Sequence, residues 1–220
     1  GFDGVELRLT DLDPEGNAIG TVEKRDRIRR ELDRLSIEIP SCIASFMAIG
    51  GGLVSDDEAA RDATAAAVHQ TIQDADAMGV EVLLLPFFGD ADIATQTRTD
   101  RAVDSLRRLA PAAEDSGVTL AIENTLPAED NVRLVERIDA DAVGLYYDMA
   151  NTTSFGFNPA KEIPRLGDHI VQVHVKDRTS DREDVMLGRG EVDFDAVDAA
   201  LREIGYDGWL VVESPPVGDP

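Results

Sequence analysis

Four polar side chains stand in otherwise apolar runs of the second half of the chain. Glu123 ends VTLAIE, Asp148 closes VGLYYD, His174 sits inside VQVHVKD and Glu213 follows WLVV. Singly, a strand-end acid is more often an exposed residue or a helix N-cap than a ligand, and a lone strand histidine more often a hydrogen-bonded core residue. Together they are harder to dismiss. Three carboxylates converging with one imidazole would repel and raise one another's pKa unless a cation sat among them. The set therefore reads as the ligands of one divalent ion: Glu123, Asp148, His174 and Glu213. Oxygen-rich ligation with a single imidazole suits Mn²⁺, and Co²⁺, Mg²⁺ and Zn²⁺ are compatible with it. Four protein ligands on an octahedral ion leave two positions for adjacent oxygens of a small molecule.

Such a set needs strands that end on one rim. Apolar, strand-like runs alternate with amphipathic segments along the whole chain, which is the pattern of βα units around a parallel sheet. Strands are expected near Val5–Leu9, Ser36–Phe46, Val80–Phe87, Val118–Asn124, Val143–Asp148, Ile170–Lys176 and Trp209–Ser214. Helices are expected over Thr21–Leu35, from the SDDE capping box at Ser55–Glu58 to a C-cap at Gly79, and over Asp100–Ser116, Ala128–Ile138, Pro159–Leu166 and Phe194–Ile204. Pro111 predicts a kink or a break in its helix. Near-continuous apolar strands such as VEVLLLPFF read as buried on both faces. No strand is followed by a dinucleotide fingerprint or a P-loop, and GRG at Gly188–Gly190 is too short for one, so a (β/α)₈ TIM barrel is favoured over an open doubly wound sheet. Strand-end chemistry is where such a barrel keeps its active site.

The chain has 220 residues with a formal net charge of −23, 43% apolar and 30% charged residues, enough for one globular domain, residues 1–220. Its basic residues include only three lysines, Lys24, Lys161 and Lys176. Acidic runs such as SDDEAARD read as solvated faces, a pattern resembling halophilic proteins of a multimolar-salt cytosol. That charge argues against a nucleic-acid partner. No apolar run is long enough for a membrane span, so the reading is soluble, cytoplasmic and without a membrane partner. Cys42 is the single cysteine, which rules out an internal disulfide and a cysteine-based zinc knuckle.

AIENT, YYDMANT, HVKD, LGRGEVDF and YDGWLVVES, with the opening GFDGVEL, resemble the xylose isomerase-like TIM-barrel superfamily, the sugar phosphate isomerase/epimerase group (AP endonuclease family 2 domain) that also includes endonuclease IV. The resemblance runs over nearly the whole chain. It implies that Glu123, Asp148, His174 and Glu213 match the family's metal ligands in order, and that Glu123 and Glu213 are the catalytic pair that takes and returns protons on opposite faces of a ketose or ketose phosphate. The implied activity is that of a metal-dependent sugar isomerase or 3-epimerase. A keto-polyol (inosose-type) dehydratase and a non-catalytic sugar-binding barrel are the alternatives. It further implies that the first βα unit and the last helix of the family are missing here, leaving seven strands whose exposed edges favour a homo-oligomer.

Two more residues bear on substrate. Lys176 shares the inward parity of His174 and reads either as a partner of a substrate hydroxylate or phosphate or as a surface salt bridge with Asp177. Asn151 stands where many ketose epimerases and endonuclease IV carry a histidine, and reads as a substrate hydrogen-bonding residue or as a helix or turn cap. With only His69 and His169 remaining, the three-metal cluster of the endonuclease is not expected. Cys42, Ser41 and Ser45 lack a histidine placed to act as their base, so a core or rim role is expected for them.

Overall fold

The computed structural model describes residues 1–214. Seven strands form one parallel sheet in the order β1-β2-β3-β4-β5-β6-β9: β1 Leu7–Leu9, β2 Ser41–Ala44, β3 Val82–Pro86, β4 Thr119–Glu123, β5 Val143–Asp148, β6 Ile170–Val175 and β9 Leu210–Val212. Two short strands, β7 Asp177–Arg178 and β8 Asp184–Val185, pair antiparallel in a hairpin. The helices are α1 Val22–Leu35, α2 Glu58–Met78, α3 Gln96–Ser116, α4 Ala128–Ile138, α5 Met149–Ser154, α6 Pro159–Leu166 and α7 Phe194–Glu203. This is the expected βα alternation of the barrel class. Among the described residues, no helix is long and apolar enough to cross a membrane.

Chain contacts define two compact units, Gly1–Asn124 with Leu134–Gly144, and Thr125–Arg133 with the described residues from Leu145 onward. In the first unit β1, β2, β3 and β4 pair successively in parallel. Leu83, Leu84 and Leu85 are all fully buried, as a strand covered on both faces requires, and Val68, Ile72 and Leu106 of α2 and α3 are buried with them. In the second unit β5 pairs with β6 and β6 with β9, while α6 packs against α7 with Ile163 and Leu166 buried.

Several boundaries differ from expectation for local reasons. The strand expected from Ser36 starts at Ser41 because Ser36 is the left-handed C-cap of α1, with φ 53°, and Ile37 N–H returns to Leu32 O at 3.2 Å. It ends at Ala44, where Ser45–Ala48 turns into a 3₁₀ segment. The capping box shifts: Asp57, not Ser55, caps α2 by accepting from Ala59 N–H. Gly79 ends that helix with φ 73°, as expected. Pro111 does not break α3. It lies on the exposed face, where water can serve the carbonyl its missing N–H frees. Neither α5 nor the β7–β8 hairpin was expected.

Candidate metal centre

Glu123 and Asp148 are the last residues of β4 and β5, and His174 is the fifth of the six in β6. All three are buried, at 4%, 3% and 1% exposure. Each offers one ligand atom, and these atoms lie within 4.8 Å of one another. The pairing of β5 with β6 sets Asp148 directly opposite His174, so their side chains leave the sheet on the same face.

The second unit shows how two of these ligands are held. Asp148 doubles as the N-cap of α5: its Oδ1 accepts from Ala150 N–H at 2.8 Å and Asn151 N–H at 2.7 Å. Those bonds fix the carboxylate and direct Oδ2 toward His174, whose Nδ1 is 4.0 Å away. The imidazole lies against Tyr146, with ring centroids 4.3 Å apart, and Gln172 Nε2 donates to Tyr146 Oη at 3.0 Å. Glu213 follows β9, its backbone N–H bonded to Val175 O, and its Oε2 lies 3.7 Å from His174 Nδ1.

Separations of 3.7 and 4.0 Å are too long for hydrogen bonds. They fall inside the span of about 4.2 Å that two donors on one ion can reach at about 2.1 Å each, and the 4.8 Å limit of the triad falls inside the span of about 5 Å reached with bonds of about 2.5 Å. Glu, Asp and His are suitable donors for a divalent ion, so the residues fit a metal. Glu123, Asp148 and His174 are brought together. Glu213, expected as a fourth ligand, stands outside this triad with its side chain 46% exposed.

Lys176 engages Glu213 rather than Asp177. Its Nζ donates to Glu213 Oε2 at 3.0 Å and lies 3.5 Å from Asp184 Oδ2. Burial disfavours the ammonium, but the Glu213 charge and hydrogen bond outweigh it and hold the Lys176 pKa above its ordinary value. Asn151 is buried, and its Oδ1 accepts from Arg178 Nη1, whose Nε donates to Asp184 Oδ1 at 2.5 Å. Although burial opposes it, Arg178 and then Lys176 keep the Asp184 carboxyl below its usual range. Arg178 and Asp184 escape sequence reasoning because the hairpin that carries them has only two residues per strand.

Asp177 has a different task. Fully buried, it accepts from Gly188 N–H at 2.9 Å and Gly190 N–H at 2.7 Å through Oδ2, and from Val192 N–H at 3.2 Å through Oδ1. The amides of GRG thus hold an internal carboxylate rather than a phosphate. A Cβ at residue 190 would lie 2.3 Å from Arg178 O, so only glycine allows this approach.

The other candidates fall away. His69 is exposed on α2, and His169 ends a 3₁₀ turn. Cys42 is buried in β2, where burial and then the Glu6 charge push its thiol up to about 12. Ser41 donates to Glu6 Oε2 at 2.5 Å, and Ser45 Oγ accepts from Arg8 Nε at 2.9 Å.

Comparison with known proteins agrees with the barrel-type fold. The family model described as xylose isomerase-like TIM barrel matches residues 1–220. An L-ribulose-5-phosphate 3-epimerase of Salmonella paratyphi C is 27% identical over 225 residues, covering 97% of this chain and 78% of that protein. An inosose dehydratase of Geobacillus kaustophilus is 30% identical over 152 residues, covering 57% of this chain and 49% of that protein. The chain spans about half the length of that relative. A D-tagatose 3-epimerase-like crystal structure superposes with a TM-score of 0.79 at 23% identity, over 96% of this chain and 81% of the other. At that identity the likeness is one of fold. With its family model matched from end to end, the chain belongs to the xylose isomerase-like TIM barrel family.

Proposed function

We propose that the chain is a divalent-metal-dependent isomerase, a 3-epimerase of a ketose or ketose phosphate, working as one barrel-type domain. The observation that carries this reading is the buried Glu123–Asp148–His174 triad. A relative named as a ketose-phosphate 3-epimerase that aligns over 97% of the chain supports it. Glu123, Asp148, His174 and Glu213 would hold the ion, with Mn²⁺ the metal best suited to this donor set. When bound, such an ion supplies electrostatic stabilisation to the oxygens of a ketose while a carbon-bound proton is removed.

The protein's own groups do the rest. Glu123 takes the proton from the carbon beside the carbonyl, and Glu213 returns one to the opposite face. Lys176 orients Glu213 through the bond to Oε2. Asn151, steadied by Arg178, offers a hydrogen bond to a sugar hydroxyl. The partner is a small sugar, and the charge of −23 disfavours nucleic acid.

The test is deuterium incorporation. With Mn²⁺ or Co²⁺ and a ketose panel in D₂O, the full chain should exchange the proton next to the carbonyl and produce an epimer. If no substrate in the panel exchanges, with metal bound, the proposal fails. The inosose dehydratase relative favours a second outcome from the same proton abstraction, loss of water rather than reprotonation. An enone product without epimer would select it.

A further inference from the structure

In the first unit a cavity of about 500 Å³ is lined by Arg61, Arg101, Asp104, Ser105, Arg107 and Arg108. Four cations and one carboxylate surround it in a chain whose net charge is −23. The contrast with arginines elsewhere is chemical. Several arginines on other helices pair with acids one turn away: Arg34 with Glu31 at 2.8 Å, Arg133 with Asp130 at 2.9 Å and Arg202 with Asp198 at 2.8 Å. Around the cavity they are pinned by main-chain carbonyls. Arg61 Nη1 donates to Ser55 O at 2.7 Å, Arg101 Nη1 to Val54 O at 3.1 Å, and Arg107 Nε to Ile138 O at 3.3 Å.

A carbonyl fixes a guanidinium without cancelling its charge. In Arg61 and Arg101 these bonds use one nitrogen of a fork with five donors, and in Arg107 two, since its Nη2 also donates to Arg137 O, so the remaining donors keep a defined direction. Arg101 also pairs with Asp56 at 2.6 Å, which offsets part of its charge, whereas Arg61, Arg107 and Arg108 make no salt bridge among the described residues. Planar guanidinium forks match the oxygens of a tetrahedral dianion bidentately, which a single ammonium cannot do.

We propose that this cavity binds a compact oxyanion of the phosphate class, either inorganic phosphate or the phosphate group of a small metabolite. The site does not depend on the proposed reaction and uses none of its residues. It is tested by calorimetric titration of the full chain with inorganic phosphate and with fructose 6-phosphate, in excess EDTA so that no bound metal contributes. Saturable binding is expected, unchanged in His174→Ala. It should weaken about tenfold or more in Arg61→Ala and in Arg108→Ala, since hydrogen bonds to charged groups contribute about 1.5–3 kcal/mol. Arg108 holds no main-chain carbonyl among the described contacts, so Arg108→Ala should fold even if Arg61→Ala does not. Equal affinities would identify free phosphate as the ligand, and tighter binding of the sugar phosphate that is weakened in Arg108→Ala would identify a metabolite. No saturable binding, or wild-type affinity in Arg108→Ala, overturns the proposal.

Discussion

The strands of this sheet end in two different ways. β1, β2 and β3 finish on Leu9, Ala44 and Pro86, all buried and none able to ionise. β4 and β5 finish on Glu123 and Asp148, β6 carries His174 next to its end with Lys176 just beyond it, and Glu213 follows β9. The strand bodies are mostly apolar, and the ionisable groups of the later strands gather at or near one end. The difference teaches that the first strands serve as scaffold, where apolar burial is enough, while the later strand ends carry the ionisable groups that would be costly without a cation or a partner.

Substitutions at the two kinds of strand should therefore have separable effects. The largest is expected at Glu123. Glu123→Gln keeps shape but removes the proton acceptor, so turnover in the deuterium-exchange assay should fall by about 10²–10⁴-fold while the unfolding midpoint stays near wild type. Next, Leu84→Ala in β3 should cost about 2–5 kcal/mol in denaturant unfolding and leave turnover per folded molecule unchanged. A parallel loss of metal affinity would show that the scaffold and the site are not separable in this way. Lys176→Met removes a partner of Glu213 rather than a ligand, and a loss of about 10–100-fold in activity is expected, the range for groups that orient metal-site residues. Smallest is Cys42. With its thiol pushed up to about 12, it stays protonated through neutral and mildly alkaline pH, because a raised pKa shrinks the thiolate fraction at every pH below it. Alkylation at pH 8 should label it only after denaturation, and Cys42→Ala should not change turnover.

The scaffold was the more legible of the two regions. Unbroken apolar runs such as VLLLP leave few alternatives to a strand covered on both faces, and a left-handed glycine such as Gly79 marks its helix end directly. Glu123, Asp148 and His174 could be picked out because each interrupts such a run. What escaped was set by tertiary context. The two-residue strands of the hairpin have no periodicity to detect, so Arg178 and Asp184 went unread. Asp177 looked like a neighbour for Lys176, but buried main-chain amides at residues 188, 190 and 192 claimed its carboxylate. The capping residue of α2 moved by two positions because Ser55 and Asp57 both suit a cap, and sequence does not show which one the chain places at the first turn.

The central claim is that Glu123, Asp148 and His174 hold one divalent ion. Titrating Mn²⁺ into the metal-stripped full chain, followed by electron paramagnetic resonance of the free ion, addresses it most directly. The account predicts one ion bound per chain, with affinity reduced at least about 100-fold in a folded His174→Ala variant. Wild-type affinity in that variant, or no saturable binding in the unmodified chain, would contradict it.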